Sequence, residues 1–203
     1  MKDESDFVGK LIILTAPSGG GKTTIKRHLL KTYATLGFSI SVTTRAKRVH
    51  EQDGVDYYFK TVEEFKALRA EQAFIEWEEV YTGQFYGTLK SEVERLWSLE
   101  QHIVFDIDVH GAKDLKSKYG DRCMAIFIRP PSLQVIIARL KNRQTESEQS
   151  LRKRIMRIKR EMTYEHEFDT VIVNDLLDVA LKEAELKVET FLDISELDSP
   201  IKN

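Results

Sequence analysis

The residues with the clearest chemistry are Gly21-Lys22-Thr23, set between a short apolar run and a helical one. A strand, then G-x-x-x-x-G-K-[ST], then a helix is the pattern of a loop that cradles phosphates. Gly19, Gly20 and Gly21 let the backbone turn successive N–H groups toward an anion. The start of the next helix adds its positive dipole. Lys22 is placed to reach β- and γ-phosphates, and the Thr23 hydroxyl to meet Mg²⁺. Ala16 stands where the strict pattern has its first glycine. This loop predicts a nucleoside triphosphate site. Alone it does not choose among ATPase, GTPase, kinase and motor.

The loop needs a strand before it and a helix after it. Leu11 to Ala16 reads as a buried strand, and Lys22 to Leu36 as a helix with Ile25, Leu29 and Leu30 on one face. Gly37 is the expected helix stop, and Phe38 to Val42 a second strand. Thr61 and Glu64 form a capping box for a helix through Ala70. Phe74 to Val80 and Phe85 to Thr88 read as strands around a Thr82-Gly83 turn, and Ser91 to Leu99 as a helix. Ile103-Val104-Phe105 is a buried strand ending at Asp106, followed by a helix from Val109 to Lys118. Met124 to Ile128 is another strand, closed by Pro130-Pro131. Ser132 caps a helix to about Lys141, and a second capping box, Thr145 with Glu148, opens one to about Tyr164. Val171-Ile172-Val173 is the last strand, before a helix from Leu176 to about Leu192. Such alternation predicts a parallel sheet with helices on both faces. The stretch from about 41 to 95 interrupts it and reads as an inserted subdomain.

Bulk properties narrow the class. The 203 residues suit one α/β domain, and 41% hydrophobic content supports a real core. A net charge of −2 gives no global pull toward nucleic acid or membrane. The single cysteine, Cys123, lies in an apolar run and excludes a disulfide within the chain. The five histidines lack zinc-site spacing. Met1 to Asp6 is mostly charged and no signal-like apolar core follows, so a cytoplasmic protein is expected.

Several separated motifs carry a family likeness. Ser41-Val42-Thr43-Thr44-Arg45-Ala46-Lys47-Arg48, Gly54-Val55-Asp56-Tyr57-Tyr58-Phe59, Phe74-Ile75-Glu76-Trp77, Tyr86-Gly87-Thr88 and Asp106-Ile107-Asp108-Val109-His110-Gly111 follow in order. Arg139, Arg143, Arg154 and Val171-Ile172-Val173-Asn174-Asp175 come after them. Over about residues 9 to 192 the chain resembles the guanylate kinases. The resemblance implies a P-loop three-layer α/β fold with a central parallel sheet, a mixed α+β nucleoside-monophosphate subdomain and a helical lid. The core would take about 9–40, 96–133 and 168–195, the GMP subdomain about 41–95 and the lid about 134–167.

It also implies roles. Ala16, Pro17, Ser18, Gly19, Gly20, Gly21, Lys22, Thr23 and Thr24 would hold ATP, with Asn174 near the adenine. Arg45, Arg48, Tyr57 and Tyr86 would hold the GMP phosphate; arginine forks suit phosphate oxygens. Glu76 and Asp108 would accept from the guanine N1–H and N2 amino group, with Ser41 and Thr88 adding hydroxyls and Gly87 beside them. Adenine lacks those two donors and would leave carboxylates unpaired. Thr23 and Asp106 would serve Mg²⁺, and Lys22, Arg45, Arg139, Arg143 and Arg154 the transferring phosphoryl group. Thr88 stands where many members have serine, and Gln144 where many have glycine. The expected reaction is ATP + GMP giving ADP + GDP. Its partners would be small molecules, with neither nucleic acid nor membrane, and the sequence leaves the oligomeric state open. Competing readings are a same-fold kinase for another acceptor, such as a ribose bisphosphate, a non-catalytic peptide-binding module, and a nucleic-acid binder using the basic segment 139–160.

Overall fold

The computed structural model describes residues 7–141 and 148–194. Along the chain run β1 (Leu11–Thr15), α1 (Lys22–Thr32), β2 (Leu36–Phe38), β3 (Val42–Thr43), β4 (Tyr58–Phe59), α2 (Val62–Ala70), β5 (Phe74–Tyr81) and β6 (Gln84–Leu89). Then come α3 (Lys90–Ser98), β7 (His102–Asp106), α4 (Val109–Tyr119), β8 (Cys123–Arg129), α5 (Leu133–Lys141), α6 (Glu148–Met162), β9 (Thr170–Val173) and α7 (Leu177–Leu192).

Every residue of β1 is buried. Its continuous apolar run is what a strand covered on both faces requires. Ile12 and Leu14 point into a cluster with Ile25 and Leu29 of α1 and Val188 of α7. Leu11 and Ile13 point the other way, onto Val93, Leu96 and Leu115 of α3 and α4. Each such side chain contributes about 1.5–3 kcal/mol by leaving water. The five strands run in the order β2-β7-β1-β8-β9, all parallel. β1 is therefore central, and the loop after it opens at the C-terminal edge of the sheet, where α/β folds bind ligands.

The interrupting stretch builds a second, mixed sheet in the order β4-β3-β6-β5. Phe65 of α2 stacks on Phe74 at 4.5 Å and on Phe85 at 5.3 Å, giving this sheet a core of its own with Val42. The β5–β6 hairpin is irregular between Phe74 and Glu76 and again between Glu79 and Tyr81. Such bulges re-aim side chains, and both lie at residues that face the cavity described below. The Thr61–Glu64 capping box forms as expected. Ser132 Oγ accepts from the Val135 amide at the start of α5. Thr145, the other expected cap, lies outside the described residues.

Three expectations fail between 33 and 42. The helix ends at Thr32, not Leu36, because Tyr33 turns extended and its hydroxyl donates to Glu189 of α7 at 2.6 Å. Gly37 is not a helix stop; it sits inside β2, where a Cβ would come within 2.5 Å of Leu96 Cδ2. The expected strand from Phe38 to Val42 is two strands in two sheets, with Ser39 to Ser41 crossing between them. No described helix is long and apolar enough to cross a membrane.

Candidate active site

Between β1 and α1 the chain turns through Gly19 and Gly21, both at positive φ. Gly21 has φ 96°, and a Cβ there would lie 2.0 Å from Asn174 Nδ2. No acidic side chain occupies the first turn of α1 and no side chain caps it. Its first N–H groups and dipole are thus available to an anion. Asn174, just after β9, is buried and donates to the Gly20 carbonyl at 2.8 Å. It braces the loop from behind and does not line the cavity.

Lys22 Nζ sits 2.9 Å from Asp106 Oδ1 and donates to the Ile107 carbonyl at 3.0 Å. Lys26 Nζ lies 3.2 Å from Asp106 Oδ2 and 3.7 Å from the Phe38 ring centroid. Burial alone would raise the Asp106 carboxyl, but the two lysines outweigh it and hold it below the usual aspartate range. An ionised carboxylate thus stands beside the phosphate loop, where the sequence put it.

Opposite the loop, Arg45 is engaged at both ends of its fork. Its Nη2 and Nη1 meet the two oxygens of Glu51 at 2.8 and 3.0 Å, and its Nε donates to the Tyr86 hydroxyl at 3.2 Å. Glu51 is 7% exposed and also accepts from the Arg48 amide at 2.8 Å. Sequence reasoning passed over Glu51; an acid three and six residues from two arginines was its signal. Tyr57 packs edge-on to Tyr86 at 6.0 Å. Burial, then the nearby Asp106 charge, pushes its phenol well above the ordinary value, so it remains a donor.

Glu76 and Thr88 face each other across the hairpin, and the Thr88 hydroxyl donates to Glu76 Oε1 at 2.6 Å. Glu76 is 8% exposed. Burial raises its carboxyl to about 7, the Thr88 bond opposes that rise, and the Asp108 charge adds to it. The strand ends at Asp106, and Asp108 caps α4 by accepting from the His110 and Gly111 amides at 2.9 and 3.1 Å. Its carboxyl meets that of Glu78, a residue absent from the expected set. Burial and Asp108 push Glu78 well above the usual carboxylate range. Burial opposes ionisation of Asp108, but the Glu78 proton, the Gly111 amide and Arg157 hold it below its own. The two carboxyls therefore titrate as a coupled pair.

These groups surround one cavity of about 360 Å³. Residues 16 to 24 form one wall; Ser41, Arg48, Tyr57, Glu76, Tyr86 and Gly87 form the other, with Asp106 and Asp108 between. Arg154 lines it from α6, along with Glu78, Arg157 and Glu161, which were not expected there. Arg45 and Thr88 stand just behind, bonded to Tyr86 and Glu76. Arg139 lies on α5, and Arg143 is outside the described residues. Cys123 is buried and takes no part, its thiol pushed up by burial to about 12. Among the described residues no cluster of three or more His, Cys, Asp or Glu could hold a metal by itself.

Comparison with known proteins shows the family. Residues 8–191 match the family model described as guanylate kinase. The chain is 45% identical over 184 residues to the guanylate kinase of Porphyromonas gingivalis, covering 90% of this chain and 98% of that protein. It is 44% identical over 186 residues to that of Bacteroides thetaiotaomicron, covering 92% and 91%. The crystal structure of guanylate kinase from Anaplasma phagocytophilum superposes with a TM-score of 0.75 at 28% identity, over 96% of this chain and 91% of that one. With the family model spanning nearly the whole chain, and relatives this similar over more than nine-tenths of their lengths, the protein belongs to the guanylate kinase family.

Proposed function

We propose that the protein transfers the γ-phosphoryl group of ATP to GMP, giving ADP and GDP. One observation carries the reading: a phosphate loop and a wall of buried hydrogen-bonding carboxyls face each other across a single cavity. A hydrolase would need only the first. In the reaction, a GMP phosphate oxygen forms a bond to the γ-phosphorus as the bond to the β,γ-bridging oxygen breaks. ADP departs with the electron pair. The attacking oxygen is already ionised, so no general base is required.

Catalysis then rests on placement and charge. Lys22 would leave Asp106 for the β- and γ-phosphates, with the loop amides at its side. Arg45, Arg48, Tyr57 and Tyr86 would take the GMP phosphate, Arg45 exchanging Glu51 for a more highly charged partner. Ionised Glu76, with Thr88 and Ser41, would read the guanine edge, joined by Asp108. Arg139, Arg143 and Arg154 would bring positive charge from the lid, whose closure together with the subdomain at about 41–95 would exclude water. The donor set suits Mg²⁺: an ionised Asp106 and the Thr23 hydroxyl both face the cavity, and Mg²⁺ commonly takes only one or two protein ligands beside substrate phosphates. When bound, it neutralises phosphate charge. ATP and GMP are the partners in this reading, in the cytoplasm, without nucleic acid or membrane.

The test is ADP release measured with GMP, AMP, CMP, UMP and a ribose bisphosphate as acceptors. Turnover confined to GMP is expected. A folded protein inactive with every acceptor would overturn the reading in favour of a binding module.

A further inference from the structure

One arginine of α6 turns away from the phosphate loop. Arg157 lines the cavity, but its contacts lie in the acceptor half. Its Nη1 donates to the Val80 carbonyl at 2.6 Å, and its Nη2 lies 3.8 Å from Asp108 Oδ2. The guanidinium carbon is 5.1 Å from the Tyr81 ring centroid. Its Nε donates at 2.5 Å to Glu161, one turn along the helix. Glu161 is 6% exposed, and its second oxygen has no partner among the described residues.

Val80 is where the β5–β6 register breaks, between Glu79 and Tyr81. A bulge leaves a residue outside the ladder, and Arg157 takes the carbonyl there. The same guanidinium supplies the cation beside the Glu78–Asp108 pair. It thus joins three places far apart in sequence: α6, the bulge in β5, and the turn between β7 and α4. A lysine has a single nitrogen and could not meet these acceptors at once.

We propose that Arg157 is a positioning residue of the acceptor site: from the lid helix it fixes both the Asp108 carboxylate and the β5 bulge, so that the shape of the guanine pocket depends on the lid. This inference rests on the GMP kinase reading above. It also separates the basic side chains of the lid by role, with Arg157 serving the acceptor and not the triphosphate.

The test is steady-state kinetics of Arg157→Met, alone and in an Asp108→Asn background, where asparagine keeps the capping oxygen. We expect KM for GMP to rise about tenfold, with KM for ATP within about twofold and kcat within about threefold. In the Asp108→Asn background the same change should move KM for GMP less than about twofold, because the contact it serves is already altered. An arginine with a merely structural role would shift both KM values together and act independently of Asp108. An unmoved KM for GMP, or the same tenfold rise in both backgrounds, would overturn the proposal. Should Arg157→Met not fold, Arg157→Gln keeps part of the stem and one donor nitrogen, and the same readings apply. Wild-type turnover in the same assay separates two failures. Its absence overturns the functional reading, while turnover with an unmoved KM overturns only the role of Arg157.

Discussion

The two walls of the cavity are built on different physics. The loop from Ala16 to Thr24 is one continuous segment, and it presents mainly backbone amides at the start of α1. The facing wall is assembled from β3, β5, β6 and the turns beside them, and it presents side chains. Those side chains already hold partners: Arg45 holds Glu51, Glu76 holds Thr88, and Asp108 holds Glu78 and the α4 amides. On the loop side, Lys22 would leave Asp106 and the Ile107 carbonyl for a triphosphate. The other wall would exchange several partners. Buried charges left alone cost several kcal/mol, so pre-pairing keeps the acceptor wall intact until a ligand replaces the partners.

The largest effect should come from the loop's one charged side chain. Lys22→Ala should lower kcat by about a thousandfold or more, roughly 4 kcal/mol of lost charge stabilisation. GMP affinity by calorimetry should stay within about twofold, since Lys22 belongs to the other wall. A comparable loss of GMP binding would show that the walls are not separable. On the acceptor wall, Glu76→Ala should reduce the preference for GMP over AMP by about a hundredfold, because the hydrogen-bonding reader is gone. Unchanged discrimination would remove Glu76 from that role.

Glu51→Gln tests pre-pairing itself. Arg45 would be left partly buried without its counter-charge, at a cost of about 2–3 kcal/mol, seen as a fall in Tm of roughly 5–10 °C. Saturating GMP should recover much of that fall, because its phosphate supplies the missing charge. A Tm that GMP leaves low would contradict the exchange of partners.

Glu76 also sets a pH dependence with two opposite signs. Its carboxyl is raised to about 7 in the folded protein, against roughly 4.3 for a free glutamate. Stability from this group is fully present below the free value and is lost as pH rises through about 7. GMP binding needs the ionised form and should weaken as pH falls through the same range, KM rising by up to about tenfold per unit. Glu76→Gln should flatten the first slope in thermal melts. The smallest effect is expected from Asn174→Ala, which removes one brace of the loop. KM for ATP should rise about fivefold, near 1 kcal/mol, with GMP unaffected.

The same contrast explains what could be read in advance. The loop and β1 were legible because their signals are local: a run buried on both faces, then glycines, then a helix. The Thr61–Glu64 box was legible for the same reason. The residues read by family likeness, Ser41 to Thr88, do converge on the cavity or stand directly behind it. What escaped depends on distant contacts. Gly37 was taken for a helix stop because its demand for space comes from Leu96, on α3. Glu51 was hidden because its partners fold back onto it. Asp108 was read for its carboxylate alone, because its capping of α4 shows only in the fold. Arg157 was given no role because its direction is set by the β5 bulge, which no local pattern announces.

Phosphorus NMR of ATP, GMP, Mg²⁺ and the wild-type protein follows the transferred group itself. The γ-phosphoryl signal of ATP should disappear as the β-phosphate signal of GDP grows in equal amount, with ADP and no early inorganic phosphate. Release of inorganic phosphate without GDP, or no change in a folded protein, would contradict a cavity whose two walls serve two nucleotides.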